Sequence, residues 1–301
     1  MTAPATVAAE GPQTARRISS RRLILRRFGR NLPAVLGGGV IVLLIVAAVL
    51  GPHLVPWSYD AIDPGAYLQP PSGRHWFGTT QSGRDVLALT VHGLGKSLLI
   101  GFLVAAGSTG LAAVIGTSIA YIGGWYEKAM LWVVDLLLVI PSFFLVAIIT
   151  SGSGESAWIW LVALLAGFGW MLSARVVRAL TLTVKEREYI LAARYMGVST
   201  PRIIRRHILP NISSLLIVDA TLNVGYAILA ETGLSYFGFG VQSPDTSLGT
   251  LIAEGARSAT TFPWIFLGPS AVLLALVLSV NAVGDGLRDA LDPSSGSGGR
   301  A

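Results

Sequence analysis

Residues 40–50 read VIVLLIVAAVL, eleven apolar residues in succession between Gly39 and Gly51. A membrane barrel strand alternates lipid-facing apolar with lumen-facing polar residues over about ten positions, and this run has no such alternation. Extended to its polar borders it covers about 34–55, and about 20 apolar residues are what a helix needs to cross ~30 Å of hydrocarbon. Five further runs of this kind follow, at about 97–122, 129–150, 157–177, 212–234 and 263–284. The fold class expected is therefore an all-α membrane protein, a polytopic bundle of six transmembrane helices. Gly101, Gly107, Gly110 and Gly116 punctuate the second run, and small residues let helix backbones approach where lipid gives no hydrophobic drive to association.

Composition agrees. Of 301 residues 52% are hydrophobic and 13% charged, against roughly a quarter charged in soluble domains. The net charge is +6, yet the basic residues sit between apolar runs and form no folded basic face, which argues against a nucleic-acid partner. There is no Cys, and the four histidines (His53, His75, His92 and His207) lack metal-ligand spacing. Disulfides, thiolate chemistry and a metal site are thus not supported.

Lys and Arg near helix ends are retained on the cytoplasmic side. With a cytoplasmic N-terminus the inner face collects Arg16, Arg17, Arg21, Arg22, Arg26, Arg27, Arg30, Lys128, the eight basic residues from Arg175 to Arg206, Arg288 and Arg300, which is 18 of 22. Only Arg74, Arg84, Lys96 and Arg257 fall outside, so both termini are expected in the cytoplasm. The first span has a basic flank like a signal peptide, but Gly51-Pro52-His53 offers no small-x-small cleavage site, so it reads as an uncleaved anchor.

The chain then divides into a disordered tail at 1–15, a basic segment at 16–33 suited to anionic lipid heads, the first span at 34–55, and an extracytoplasmic segment at 56–96. A core at 97–290 with five spans and a C-terminal tail at 291–301 complete it. Segment 56–96, with a second outer segment at 235–262, is expected to form a cap. Pro141 is expected to kink the third span, and Trp57, Trp76, Trp125, Trp158 and Trp264 to form an aromatic belt.

The connection between the fourth and fifth spans, residues 188–211, reads EYILAARYMGVSTPRIIRRHILPN. Glu188 to Met196 is rich in helix formers, Gly197 stands where a left-handed C-terminal cap belongs, and Ser199 or Thr200 can cap a second helix with Pro201 in its first turn. Pro210 is expected to end that helix. The reading is a compact cytoplasmic elbow on which Ala192 and Ala193 leave a low surface for another protein.

This elbow resembles the EAA loop of ATP-binding-cassette importer permeases, whose pattern is Glu-Ala-Ala, three residues, Gly, nine residues, then Ile-x-Leu-Pro. Ala192, Ala193, Gly197, Leu209 and Pro210 fall on that register. Leu191 stands in place of the Glu and His207 in place of the Ile; His is common there in the peptide-permease branch. Gly78, Thr79, Gly83, Arg84 and Asp85 in FGTTQSGRDVLA are also similar to the dipeptide, oligopeptide and nickel permease family. So are Glu231, Leu234, Ser235 and Gly238 in LAETGLSYFGFG, Ser247, Leu248, Gly249, Leu251 and Ile252 after them, and NAVGDGLRDALDP at 281–293.

The resemblance covers nearly the whole chain beyond residue 20 and implies a type I importer permease of the bacterial inner membrane, specifically the second of two permease subunits. The partners it implies are a second homologous permease, two ATPase subunits or one fused ATPase, an extracytoplasmic substrate-binding protein, a peptide substrate and membrane lipid. ATP and Mg would be held by the partner subunits and no cofactor by this chain. Glu188, Ala192, Ala193, Gly197, Pro201, His207, Leu209 and Pro210 would make the coupling contact with the ATPase.

Asp135, Asp219 and Glu231 lie in or at the edges of apolar spans, and an ionised group in lipid costs about 3 kcal/mol or more on insertion scales. They are expected to face the bundle interior, either lining a translocation path or bonding a neighbouring helix. Arg84 and Asp85 are candidates for a docking contact on the outer cap or an ion pair that pins it. Gly95-Lys96-Ser97 is no phosphate loop, because Thr90 occupies the position of the required first Gly. A membrane-embedded enzyme would need Asp135 and Asp219 to meet as a dyad, since no Ser/His pair or HExxH appears; an importer of nickel or another small solute is the other alternative.

Overall fold

The computed structural model describes residues 20–152 and 154–291; the tails expected to be disordered, 1–15 and 291–301, lie outside these residues save for Leu291. The described chain is helical, and its sole β feature is an isolated bridge between Thr79 and Asp85. In order the helices are α1 (Ser20–Phe28), α2 (Leu32–Leu54), α3 (Val86–Ile122), α4 (Gly124–Val139), α5 (Ser142–Ser151), α6 (Ala157–Lys185), α7 (Glu188–Tyr195), α8 (Thr200–Ile203), α9 (Leu209–Tyr236), α10 (Leu248–Ala256) and α11 (Pro263–Leu291). Five of them, α2, α3, α6, α11 and the continuous run Thr200–Tyr236, are long and apolar enough to cross a membrane. Helices α4 and α5 make a sixth crossing if taken as one span, bent by 69°. The break lies at Pro141, whose missing N–H cannot continue the helix; it becomes the N-cap of α5.

Helix α3 is the axis of the bundle, packed along α6 and α9, while α11 packs against α2 and α9. Close approach explains its glycines. A Cβ on Gly116 would lie 2.6 Å from the Ala174 carbonyl, on Gly107 2.9 Å from Ala166, and on Gly101 2.9 Å from Ile228. Gly110 departs from the expectation and faces open space. Helix α2 buries only Ala34, Gly37 and Gly51 and exposes Leu36, Val42, Leu43 and Val49, a face that suits lipid.

Helix α3 starts at Val86, ahead of the span expected from about 97, so residues 86–96 of the expected outer segment are helical. The polar residues that suggested a loop are satisfied within the helix. Asp85 caps α3 by accepting from the Ala88 amide at 2.7 Å. The Thr90 hydroxyl donates to the Val86 carbonyl, Lys96 pairs with Asp245 at 2.6 Å, and the Ser97 hydroxyl accepts from the Leu248 amide. The aromatic belt is also partial. Trp76 and Trp125 are exposed, but Trp57 lies against His75 under Arg74, Trp158 lies under Lys96, and Trp264 donates to the Thr79 carbonyl.

Candidate functional site

At one end of the bundle α6 gives way to the elbow. Helix α7 ends in a Schellman motif: Gly197 adopts φ +74°, the Val198 amide donates to the Ala193 carbonyl and the Gly197 amide to Arg194. Ser199 takes the N-cap position of α8 without a side-chain bond, and Pro201 sits in the first turn. The elbow stands on an apolar footing in which Ile190, Ala193, Ile203 and Ile208 pack with Val177 and Val184 of α6 and Ile212 of α9. Lys185 adds a bond to the Ala120 carbonyl at the end of α3.

Two expectations about the elbow need correction. Ala193 is 4% exposed, because its position one turn after Ile190 turns it inward onto Ile203; the low surface belongs to Ala192, with Tyr195 at 88% and Met196 at 76% exposure beside it. Pro210 does not end the second helix. Ile204–Ile208 form a π turn that runs on into α9, and the wider turn accommodates a residue with no backbone donor. The Asn211 side-chain amide meanwhile donates to the His207 carbonyl at 2.6 Å. Glu188, Pro201 and Pro210 are exposed, and His207 and Leu209 partly so. Arg187, Arg194, Arg202, Arg205 and Arg206 are exposed around them.

The three acids of the spans have different surroundings. Asp219 accepts from Thr109 of α3 at 2.8 Å, Ser173 of α6 at 2.6 Å and Asn223 of α9 at 3.0 Å, so one carboxylate joins three helices. Glu231 is fully buried; its Oε1 accepts from Ser235 and Ser247 at 2.6 Å, tying α9 to α10. Asp135 is paired with Arg175 across α4 and α6, with side chains 63% and 45% exposed. Arg175 lies ten residues before the end of α6, roughly 15 Å into the bundle, and Asp135 about as far along α4. The two aspartates do not meet as a dyad. Their partners were missed in sequence, although Thr109, Ser173 and Asn223 are visible there as polar residues in apolar runs.

At the opposite end the segment 55–85 folds as a cross-braced cap. Backbone bonds link Asp63 to Gly83, Leu68 to Thr80 and Thr79 to Gln69. Arg84 and Asp85 do not pair with each other. Asp85, 3% exposed, holds the buried His75 through Nδ1 at 2.8 Å, and Asp63 meets Arg74 and lies 3.5 Å from the His75 Nε2. The Gly65 amide, chiefly, holds the Asp63 carboxyl below the usual carboxylate range. Arg84 faces a cavity beside the cap.

Comparison with known proteins places this architecture. Residues 111–296 match the family described as binding-protein-dependent transport system inner membrane component, and residues 19–71 match the N-terminal TM domain of oligopeptide transport permease C. The oligopeptide transport system permease protein OppC of Mycobacterium tuberculosis is 56% identical over 93% of this chain and 96% of that relative. The dipeptide transport system permease protein DppC of Alkalihalophilus pseudofirmus is 35% identical over 92% and 90%, and a putative peptide permease of Brucella suis 38% over 89% of each. A bundle of five long apolar helices and one bent pair, an elbow on apolar footing, and similarity along nearly its whole length make this chain a member of the family of binding-protein-dependent transport system inner membrane components.

Proposed function

We propose that this chain is the pore-forming permease subunit of an ATP-driven importer of short peptides. The observation that carries the reading is the elbow at 188–211: an exposed surface of Ala192, Tyr195 and Met196 held on a buried apolar footing. A partner's movement applied there passes into α6 and α9, because the cluster joins both helices rigidly. The 56% identity with an oligopeptide permease supports peptide as the cargo.

In this reading the elbow lies in the cytoplasm, both termini with it, in the inner membrane of a bacterium, and the cap faces outward. A second, homologous permease encloses the path with this chain. Two ATPase subunits, or one fused ATPase, hold ATP and Mg and dock on the elbow through Glu188, Ala192, Pro201, His207 and Pro210, while Ala193, Gly197 and Leu209 keep it in shape. A substrate-binding protein delivers peptide to the cap. The chain itself performs no catalysis and holds no cofactor. Moving the pore from 1:99 to 99:1 between its two conformations requires about 5.5 kcal/mol of differential binding, which ATP supplies through the elbow.

The Asp135–Arg175 pair supports a polar face on α4 and α6. Charged groups this exposed within spanning helices are costly against lipid, so this face is covered by the second permease or by the water of the path. Asp219 and Glu231 act by contrast as helix-joining bonds. The test is reconstitution of the full complex in liposomes with binding protein and ATP. Labelled di- and oligopeptides accumulate if the reading holds; uptake of nickel or another solute without peptide overturns the cargo, and accumulation without ATPase subunits overturns the coupling.

A further inference from the structure

A cavity of about 590 Å³ opens at the cap end, walled by the cap at 80–84, the loop after α9 and helix α10. Its charged lining is Arg84, Asp245, Glu254 and Arg257. Asp245 is already neutralised by Lys96 at 2.6 Å. The other three are not: among the described residues no ion pair joins Arg84, Glu254 or Arg257 to any group, and the Arg84 Nε is buried with no hydrogen-bond partner. Two unpaired guanidinium groups and one unpaired carboxylate thus border one polar space, whose remaining lining includes Thr80, Gln242 and Thr250.

Glu254 and Arg257 are exposed to this space and Arg84 is half-buried; the Arg84 Nε, a buried donor with no acceptor, has lost its hydration and gains nothing in return. The volume falls in the range of sites for small ligands, about 300–1,000 Å³. The chemistry calls for a ligand with both signs of charge: a carboxylate to engage the guanidinium forks and a cation for Glu254. Partial desolvation raises the Glu254 carboxyl above its usual range against the fields of Arg257 and Arg84; neither guanidinium forms an ion pair with it, so its exposed oxygens stay open to an ammonium group.

We infer that this cavity is a receiving site for a short zwitterionic peptide, its C-terminal carboxylate held by Arg84 and Arg257 and its ammonium group by Glu254. The inference rests on the peptide-importer reading and adds to it a site within this subunit, apart from the path along α4 and α6.

The complex of both permeases and the ATPase subunits, placed in nanodiscs without binding protein, is titrated with radiolabelled trialanine, trialanine amide and N-acetyl-trialanine. Trialanine binds, and removing either terminal charge weakens it by roughly tenfold or more. Arg84→Gln with Arg257→Gln weakens trialanine to the level of the amide and leaves the amide unchanged; Glu254→Gln does the same for the acetylated peptide. Co-purification of both permeases and the ATPase subunits with each variant in the wild-type ratio certifies assembly. The inference is overturned if wild type binds no trialanine, binds the amide equally well, or is unaffected by the substitutions. Peptide uptake into liposomes with binding protein separates the two levels: uptake that persists alongside any of these failures refutes the cavity alone, whereas no peptide uptake refutes the importer reading.

Discussion

The two ends of this molecule are held by opposite chemistry. The cap is braced by polar contacts, with His75 between Asp63 and Asp85 and backbone bonds crossing between its turns. The elbow has an apolar underside, Ile190, Ala193, Ile203 and Ile208, and an upper surface of exposed aromatic and basic side chains. Polar cross-links fix a shape that is complete in itself. A greasy footing under an exposed top leaves the top available to a partner while preventing it from moving independently of the spans. The contrast teaches where substitutions are felt: in the cap as loss of folding, in the elbow as loss of communication.

The comparison breaks most visibly at Asp85. Asp85→Ala removes the acceptor for the Ala88 amide and the partner of His75, at an expected cost of about 2–4 kcal/mol. A lower melting temperature and a poorer folded yield in detergent are the measurements; a wild-type melting curve would show that the cap is not braced there. Next is Ala193→Trp, which drives a large ring into the filled footing at a cost of about 1–3 kcal/mol. The bundle, held separately by the Asp219 contacts of α3, α6 and α9, stays inserted, and ATPase subunits no longer co-purify.

Gly197→Pro sharpens the contrast further. The proline ring demands φ near −65°, where Gly197 has +74°, so the turn is lost and ATP hydrolysis separates from uptake in proteoliposomes. Tyr195→Ala, at an exposed site, should change stability by less than about 0.5 kcal/mol and still lower uptake; equal uptake would remove Tyr195 from the coupling surface. The smallest effect is a pH response of the cap. Asp63 has a folded-state value below its usual range, so its contribution is present above the ordinary carboxylate value and fades as pH falls through the folded one. Asp63→Asn should flatten the acid limb of the melting temperature against pH.

Sequence made the bundle legible because apolar length is a one-dimensional property, and the Gly197 cap because a left-handed turn demands a particular residue. It left the helical turns at 86–96 unread because Thr90, His92 and Lys96 look like loop residues until Asp245 and the helix's own carbonyls are brought to them. Pro210 was read as a stop because the π turn that accommodates it is a property of neighbouring backbone, with no residue of its own. The inward face of Ala193 and the Asp135–Arg175 pair depend on how α6 is rotated against its neighbours, which no single helix discloses.

The chain has no cysteine, so Tyr195→Cys places a unique thiol on the top of the elbow. Reaction of that thiol with a membrane-impermeant maleimide, in right-side-out and inside-out vesicles of the assembled transporter, tests the account most directly. Labelling confined to inside-out vesicles, and suppressed when the ATPase subunits are bound, is the predicted result; labelling from the outer side, or labelling indifferent to those subunits, would contradict it.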